Sequence, residues 1–414
     1  MNIHIEGVEN KLIRKSIVIS GSKSESNRLL ILQKLFPEIS IENLSDSDDT
    51  NHLQHALSTE DEEINIGHAG TAMRFLTAFF ASREGRTVIL SGSDRMHNRP
   101  IKVLVDALRN LGADISYVEK EGYPPLRITG KKLTKDSVQI NGNVSSQYIS
   151  ALLLTAASLP NGLTVELIGE ITSIPYIKMT LSLLNQLGIE THFEGQKITV
   201  KPIDNVQKQT LVVESDWSSA SYFYSIVALS DIDSEIKLTS YRKESLQGDS
   251  VLSEIYQHFG VETTFIENSI ILRKVEDVMH TDVNVQRLKL NLIKAPDIAQ
   301  TIAVTCFMYC IGCDLTGLHT LKIKETDRLE ALKEELTKLG ATITVTDHSL
   351  HLESTTEINQ NISIETYHDH RMGMAFAPLA MRVPVEIIDA KVVTKSYKNF
   401  WADLQQIGFQ LIEK

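Results

Sequence analysis

Cysteine is scarce. The chain has three in 414 residues, all between 306 and 313. That excludes a disulfide-stapled fold and fits a reducing, cytoplasmic compartment. Long hydrophobic runs are missing as well. The longest apolar region, Thr301 to Leu315, is broken by Gly312 and Asp314, so no membrane-spanning helix is expected. The N-terminus has no basic segment followed by an apolar one, so no secretory signal is expected. Basic excess is absent too. Forty-one Lys and Arg face 53 Asp and Glu, a net charge of −12. This argues against a nucleic-acid surface. Any anionic small molecule must then be drawn in by a local basic cluster against the overall field. The remaining composition, 42% hydrophobic and 23% charged, is that of a soluble globular protein with two or three domains.

One pattern recurs along the chain. An amphipathic helix ends in a hydrophobic residue plus Gly, and a β-like segment follows. The Gly residues are 112, 188, 260, 340 and 408, at intervals of 68 to 80 residues. A helix stopped by a left-handed Gly satisfies its last carbonyls and releases the chain into a strand. The interval is too long for a solenoid repeat and suits a unit of several strands and two helices. Three copies continue through a polar turn into a second strand, at Lys197–Val200, Ser269–Leu272 and Ser349–Leu352, which predicts hairpins. A sixth copy, near Asp48–Leu57, lacks the Leu-Gly stop and reads as shortened between Leu57 and Ile64. Six units suggest two domains of three.

Small, polar and basic residues gather at helix starts. The leading case is Ser20-Gly21-Ser22-Lys23-Ser24-Glu25-Ser26-Asn27-Arg28, after the β-branched run Ile17-Val18-Ile19 and before an apolar helix. Such a turn aims backbone N–H groups at one place. Cations there oppose the helix dipole, which suggests that an anion arrives to use them. It is not a Walker loop, whose G-x-x-x-x-G-K-[ST] spacing is absent. Similar starts occur at Gly67–Arg74, at Arg95 and Arg99 ahead of Pro100, at Asn143–Tyr148 and at Ser215–Ser221. The densest is Lys324-Glu325-Thr326-Asp327-Arg328, where Thr326 or Asp327 suits the N-cap and Glu325 suits proton transfer. Asp369-His370-Arg371-Met372 and Lys391–Lys395 follow. Each alone reads equally as a capped helix with a solvated end. Jointly they are what binding a polyanion requires.

The cysteines form a C-x3-C-x2-C spacing, which radical-SAM iron–sulfur enzymes use. The steps i, i+4, i+7 also put all three on one face of an apolar helix, and free Cys is among the most buried residue types. The helix reading predicts core thiols.

In this order, Gly21-Ser22-Lys23-Ser24, Ala69-Gly70-Thr71-Ala72-Met73-Arg74, Arg95-Met96 with Arg99-Pro100, Ser145-Ser146-Gln147, Lys324–Arg328 and Asp369–Met372 resemble the 5-enolpyruvylshikimate-3-phosphate synthase family along essentially the whole chain. The resemblance implies an α/β, two-domain enolpyruvyl transferase fold. Each domain is an inside-out α/β barrel of three βαβαββ units, with a cleft between the domains. The implied domains are 21–216 and 1–20 plus 217–414, with crossovers near Gly21 and Asp216. The implied reaction moves the enolpyruvyl group of phosphoenolpyruvate to the 5-hydroxyl of shikimate 3-phosphate through a tetrahedral intermediate. No cofactor or metal takes part, and the enzyme acts as a monomer.

By the same resemblance, Ser24, Arg28, Ser145, Ser146, Ser173, Tyr176, Thr320 and Lys324 serve shikimate 3-phosphate. Gly70, Arg99, Arg328, Arg371 and Lys395 serve phosphoenolpyruvate, and Lys23 and Gln147 lie between the two. Asp297 takes the 5-hydroxyl proton, Glu325 moves the methylene proton, and Lys23 and His370 complete the catalytic set. The chain departs from the family pattern at His68 (usually Asn), Phe75 (commonly Pro) and Thr320 (often Asn), the first two beside the position where the inhibitor glyphosate acts. The related UDP-N-acetylglucosamine enolpyruvyltransferases usually carry a loop cysteine in the N-terminal half, which this chain lacks. A catalytically inactive anion-binding homologue is the other alternative, although the acid/base and cationic residues are all present.

Overall fold

A computed structural model of the chain describes residues 1–171, 174–278 and 287–414. They form two compact units, one of Gly21–Val213 and one of Met1–Ser20 with Glu214–Lys414. The chain opens with β1 (Ile3–Glu6) and β2 (Arg14–Ile17). The strand expected through Ile19 stops at Ile17, and Val18 is 70% exposed.

The unit of Gly21–Val213 begins with α1 (Lys23–Leu35), β3 (Ile39–Glu42) and α2 (Asp48–Ser58). Next come β4 (Glu63–Asn65), α3 (Gly70–Ala81), β5 (Thr87–Ser91), α4 (Lys102–Asn110), β6 (Asp114–Tyr117) and β7 (Leu126–Thr129). A third set is β8 (Ser137–Asn141), α5 (Ser146–Ala156), β9 (Leu163–Ile168), α6 (Ile174–Gln186), β10 (Thr191–Glu194) and β11 (Lys197–Val200). The last strand is β12 (Gln209–Val212). Two complete βαβαββ sheets result, ordered β4-β5-β7-β6 and β8-β9-β11-β10. In each, the first two strands run parallel and the hairpin antiparallel. The third sheet is only β12 parallel to β3. Its hairpin is missing, as the shortened copy after Leu57 predicts.

The other unit continues with α7 (Trp217–Leu229), β13 (Glu235–Thr239), α8 (Leu252–Ile255), β14 (Val261–Ile266) and β15 (Ser269–Lys274). Then come β16 (Leu288–Asn291), α9 (Ala299–Met308), β17 (Cys313–Thr316), α10 (Arg328–Lys338), β18 (Ile343–Val345) and β19 (Ser349–Leu352). It closes with β20 (Ile362–Ile364), α11 (His370–Phe376), β21 (Val385–Ile387), α12 (Phe400–Ile407) and β22 (Gln410–Glu413). Its sheets are β2-β13-β15-β14, β16-β17-β19-β18 and β20-β21-β1-β22. The N-terminal segment therefore supplies an outer strand to one sheet and a hairpin strand to another.

The second crossover comes three residues earlier than expected, after Val213 rather than at Asp216. The reason is local. Ser215 Oγ donates to Ile19 O at 2.6 Å, and Asp216 N donates to Ser20 O at 3.3 Å. These bonds tie the residues before α7 to the N-terminal segment.

The first helices α3, α5, α7 and α9 are apolar nearly all round and are buried, as such a pattern demands, whereas α1 is more polar and buries Glu25 to Leu32. Every residue of α7 except Ser218 is buried, and so is every residue of α9. The second helices α2, α4, α6, α10 and α12 bury one face only. All five stop glycines take positive φ, from +71° at Gly260 to +125° at Gly408, so the expected termination mechanism operates.

The cysteine helix needs correcting. α9 ends at Met308, Cys310 lies beyond it at φ +58°, and Cys313 begins β17. Cys306 and Cys313 are core thiols and Cys310 is half-buried, but they share no helix face. Gly312 and Asp314 end the apolar run in the helix sense and open a strand.

Ile302 in α9 is fully buried. Ile302→Ala should cost about 2–5 kcal/mol, the range for truncating a buried aliphatic side chain. Urea unfolding measures it, and a loss under 1 kcal/mol would show that α9 is not a packed central helix.

Candidate active site

In the unit of Gly21–Val213, the starts of the buried helices carry the predicted residues. Gly21 lies where a Cβ would collide with Asn43 O and the Val213 side chain, so the chain turns tightly into α1. Ser22 occupies the N-cap position but makes no side-chain cap bond. The alternative reading of this start as an ordinary Ser-capped helix is therefore not what forms. Lys23 is half-buried, with Nζ 3.5 Å from Asp49 Oδ2 in the first turn of α2. Ser24 follows it, half-buried.

Arg28 is only 3% exposed. Its Nε donates to Thr180 Oγ1 at 2.8 Å, Nη1 to Ser24 O at 2.7 Å, and Nη2 to Ser150 Oγ at 3.0 Å. Its guanidinium carbon lies 5.4 Å from the centre of the Phe75 ring and 5.9 Å from that of Tyr176. Phe75, a departure from the family pattern, therefore packs on a site cation. Burial pulls the Arg28 pKa down to about 10 against the opposing influence of Tyr176 and Glu25.

Gly70 opens α3. A Cβ there would collide with the guanidinium of Arg99, so Gly is required for Arg99 to lie across the helix start. Arg99 is half-buried. Ser145 caps α5, its Oγ accepting from Gln147 N at 3.4 Å, and Gln147 Nε2 donates to Thr71 Oγ1 at 3.1 Å. The starts of α3 and α5 are thereby joined. Ser146 is buried in the first turn of α5, and Tyr176 lies in the first turn of α6. Ser173 lies outside the described residues. His68 is exposed and shares a 2.6 Å hydrogen bond with Ser93 Oγ.

The second unit carries carboxylates as well as cations. Arg328, 2% exposed, donates from Nε to Asp369 Oδ2 at 2.6 Å, from Nη1 to Asp297 Oδ1 at 2.8 Å and from Nη2 to Glu325 Oε2 at 2.7 Å. A further Nη2 bond reaches Asp369 Oδ1 at 3.4 Å. Lys324 Nζ lies 3.3 Å from Asp297 Oδ1, and Arg371 Nη2 lies 3.7 Å from Asp297 Oδ2. Burial opposes ionisation of Asp297, but Lys324, Arg371 and Arg328 outweigh it and hold its carboxyl well below the usual range. Burial likewise opposes the charge on Arg328, yet Asp369, Glu325 and Asp297 raise its pKa.

Asp327 and Asp369 cap α10 and α11 through their side chains. His370 is packed inside at 2% exposure, its Nδ1 3.9 Å from Asp369 Oδ1. Thr320 is half-buried, and its Oγ1 has no hydrogen-bond partner among the described residues. Lys395 Nζ donates to His368 O at 2.8 Å, which ties it to the turn before α11.

The two sets differ in charge balance. Arg28, Arg74 and Arg99 make no ion pair among the described residues, so the first set carries positive charge that no carboxylate there pairs with. In the second, one guanidinium organises three carboxylates, an arrangement suited to moving protons.

Sequence reasoning missed several groups. Arg74 and Asp369 were visible in motifs but carried no assigned role. Asp249 gave no signal. It lies in a short turn, accepts a hydrogen bond from Ser218 Oγ, and is pushed up to about 6 by burial and then by Asp297. Only tertiary packing creates that environment.

Buried helices inside βαβαββ sheets, with anion-seeking first turns, define the enolpyruvyl transferase class. Solved structures agree. The EPSP synthase of Acinetobacter baumannii matches with a TM-score of 0.79 at 20% identity, covering 100% of both chains. The sequence model of EPSP synthase (3-phosphoshikimate 1-carboxyvinyltransferase) matches residues 54–404. The 3-phosphoshikimate 1-carboxyvinyltransferase of Bacteroides fragilis is 45% identical over 402 residues, 96% of each chain. That of Haemophilus influenzae is 36% identical over 430 aligned residues, 95% of this chain and 96% of its own. The chain belongs to the EPSP synthase family.

Asp249 supplies a pH test. Its folded pKa of about 6 lies above the ordinary 3.8. Its protonation therefore stabilises the fold below that lower value, and the contribution is lost as pH rises through about 6. Between pH 4 and 7 the wild type should lose about 2–2.5 kcal/mol relative to Asp249→Asn, because the unfolded carboxyl is already partly ionised at pH 4. Asp297 acts at lower pH, with opposite sign, in both proteins. Parallel urea-unfolding stabilities across that range would remove Asp249 as a buried titrating group.

Proposed function

We propose that the chain transfers the enolpyruvyl group of phosphoenolpyruvate to the 5-hydroxyl of shikimate 3-phosphate and releases inorganic phosphate. The observation that carries this reading is the pair Asp297 and Glu325 held on the single guanidinium of Arg328. Two carboxylates at fixed positions suit the two proton transfers of the reaction. Membership of the family along nearly the whole chain supports the choice of substrates.

The steps balance as follows. A proton adds to the methylene carbon of phosphoenolpyruvate, with Glu325 as the group that moves it. The 5-hydroxyl oxygen bonds to the adjacent carbon, and its proton goes to Asp297. The tetrahedral intermediate then returns a proton from its new methyl carbon to Glu325, the bond from carbon to the phosphate oxygen breaks, and the proton held by Asp297 leaves with the phosphate or to water. Lys23, Arg99, Arg371 and Lys395 serve the negative charge of phosphoenolpyruvate. Ser24, Ser145, Ser146 and Lys324 serve shikimate 3-phosphate, with Arg28 acting from beneath.

Asp297 is a weak base while three cations face it. An anion that engages Lys324 or Arg371 draws those charges away and raises its proton affinity. The general base is thus strengthened by substrate binding. Arg328 has one N–H left beyond its four carboxylate bonds, so its main part is to hold Asp297, Glu325 and Asp369 in place.

The reading has the enzyme acting as a cytoplasmic monomer on small molecules. The three thiols are unpaired, and among the described residues no helix is long and apolar enough to cross a membrane.

Phosphate release tests the proposal. Purified protein with phosphoenolpyruvate should release phosphate with shikimate 3-phosphate and not with UDP-N-acetylglucosamine. Release only with the nucleotide sugar would overturn the acceptor, and silence with both would overturn the activity. Glu325→Gln should lower kcat by roughly 10²–10⁴-fold, the usual loss on removing general acid/base help, while calorimetry still shows both substrates binding. Unchanged turnover would exclude Glu325 from proton transfer.

A further inference from the structure

Three segments of the Gly21–Val213 unit meet at one peptide carbonyl. Pro100 O accepts from Arg74 Nη2 at 2.8 Å and from Tyr148 Oη at 2.6 Å. Arg74 Nη1 donates to Gly70 O at 3.2 Å and lies 3.5 Å from Met96 Sδ. The Arg74 guanidinium carbon lies 5.9 Å from the centre of the Tyr148 ring. Arg74 is 3% exposed and Tyr148 7%. One cluster thus links the first turn of α3, the first turn of α5 and the loop that carries Arg99.

All the partners of Arg74 are neutral, and it makes no ion pair among the described residues. Burial, and after it the charge of Arg99, pulls its pKa down to about 10. A buried cation without a carboxylate is costly. A salt-bridged or apolar residue would brace the core at lower cost, so packing alone does not account for it.

Geometry supplies the reason. Arg99 immediately precedes Pro100 and has extended backbone, φ −97° and ψ 119°, the conformation that a following proline favours. Pro100 has a restricted φ of its own. With its carbonyl held by two donors, the origin of the Arg99 side chain is fixed. The side chain then runs to Gly70, where the missing Cβ leaves room for its guanidinium.

We propose that Arg74 and Tyr148 are positioning residues. They hold the Pro100 carbonyl from two sides and aim Arg99 over the first turn of α3. In this way they set the affinity of that place for an anion, which on the functional reading above is phosphoenolpyruvate. The second buried charge raises the local positive potential, and the anion relieves it.

The test is a double-mutant cycle of Tyr148→Phe and Arg99→Gln, read in calorimetric binding of phosphoenolpyruvate and in the KM of each substrate. Tyr148→Phe keeps the ring and loses one hydrogen bond. It should weaken phosphoenolpyruvate about 3–10-fold, the usual worth of such a bond, while KM for shikimate 3-phosphate changes less than about twofold. In the Arg99→Gln background the same substitution should have almost no further effect, because coupled residues are not additive. Arg74→Lys, which keeps the charge but loses the fork, should weaken phosphoenolpyruvate at least as much as Tyr148→Phe. Independent effects that multiply in the double variant would overturn the proposal. So would equal losses for both substrates, or no loss with Tyr148→Phe. Binding is measured without turnover. A wild type that binds phosphoenolpyruvate yet releases no phosphate would overturn the functional reading and leave this test intact. A wild type that does not bind it would overturn both.

Discussion

Three carboxylates from three segments converge on the guanidinium of Arg328: Asp297 from the turn before α9, Glu325 from just before α10, and Asp369 from the cap of α11. Gathered without a cation, they would repel one another, and protons would bind until the charge fell. Arg328 lets them lie adjacent, and so brings the starts of three helices together. The cost is a fully desolvated cation, which only a nearly complete set of charge-assisted bonds offsets. A lysine would supply charge without the planar fork that reaches three partners.

The other unit solves a different problem. Among the described residues, its buried cations Arg28 and Arg74 hydrogen-bond to or stack on hydroxyl, carbonyl, sulfur and aromatic groups and make no ion pair. Hydrogen bonds satisfy the donors, but the charge stays. In a chain with a net charge of −12, this imbalance makes a local positive field out of an acidic protein. Helix dipoles add to it, because Lys23, Gly70 and Gln147 all lie in first turns. One unit is thus organised around buried cations without ion pairs among the described residues, and the other around carboxylates gathered on one guanidinium.

Both arrangements depend on the repeat. A βαβαββ unit hides its first helix and leaves its second half exposed, so the central helices must be apolar throughout. Only their first turns are free to be polar. That is why Ser24, Gly70, Gln147 and Arg371 stand where they do, and why α3, α5, α7 and α9 otherwise read as continuous apolar runs, whereas Arg328 opens the half-exposed α10.

Much of this was legible before the fold was known. The Leu-Gly stops at 112, 188, 260, 340 and 408 depend on local backbone geometry, and so do the hairpins and the cap at Asp327. Local physics writes such features into adjacent residues. Errors arose where neighbours in space overrule neighbours in sequence. The strand through Ile19 was cut short, and the cysteine run broke into helix, turn and strand. The sequence by itself determined the repeat, the chemistry of the helix starts and the shortened sixth copy, because each rests on contacts a few residues long. Only the tertiary structure decided that β1 completes the sheet of β21 and β22, that Asp249 is buried near Asp297, that Arg328 is spent on three carboxylates, and that Arg74 and Tyr148 share the carbonyl of Pro100. Those are contacts between groups tens to hundreds of residues apart, and burial and charge there are set by what the fold brings alongside.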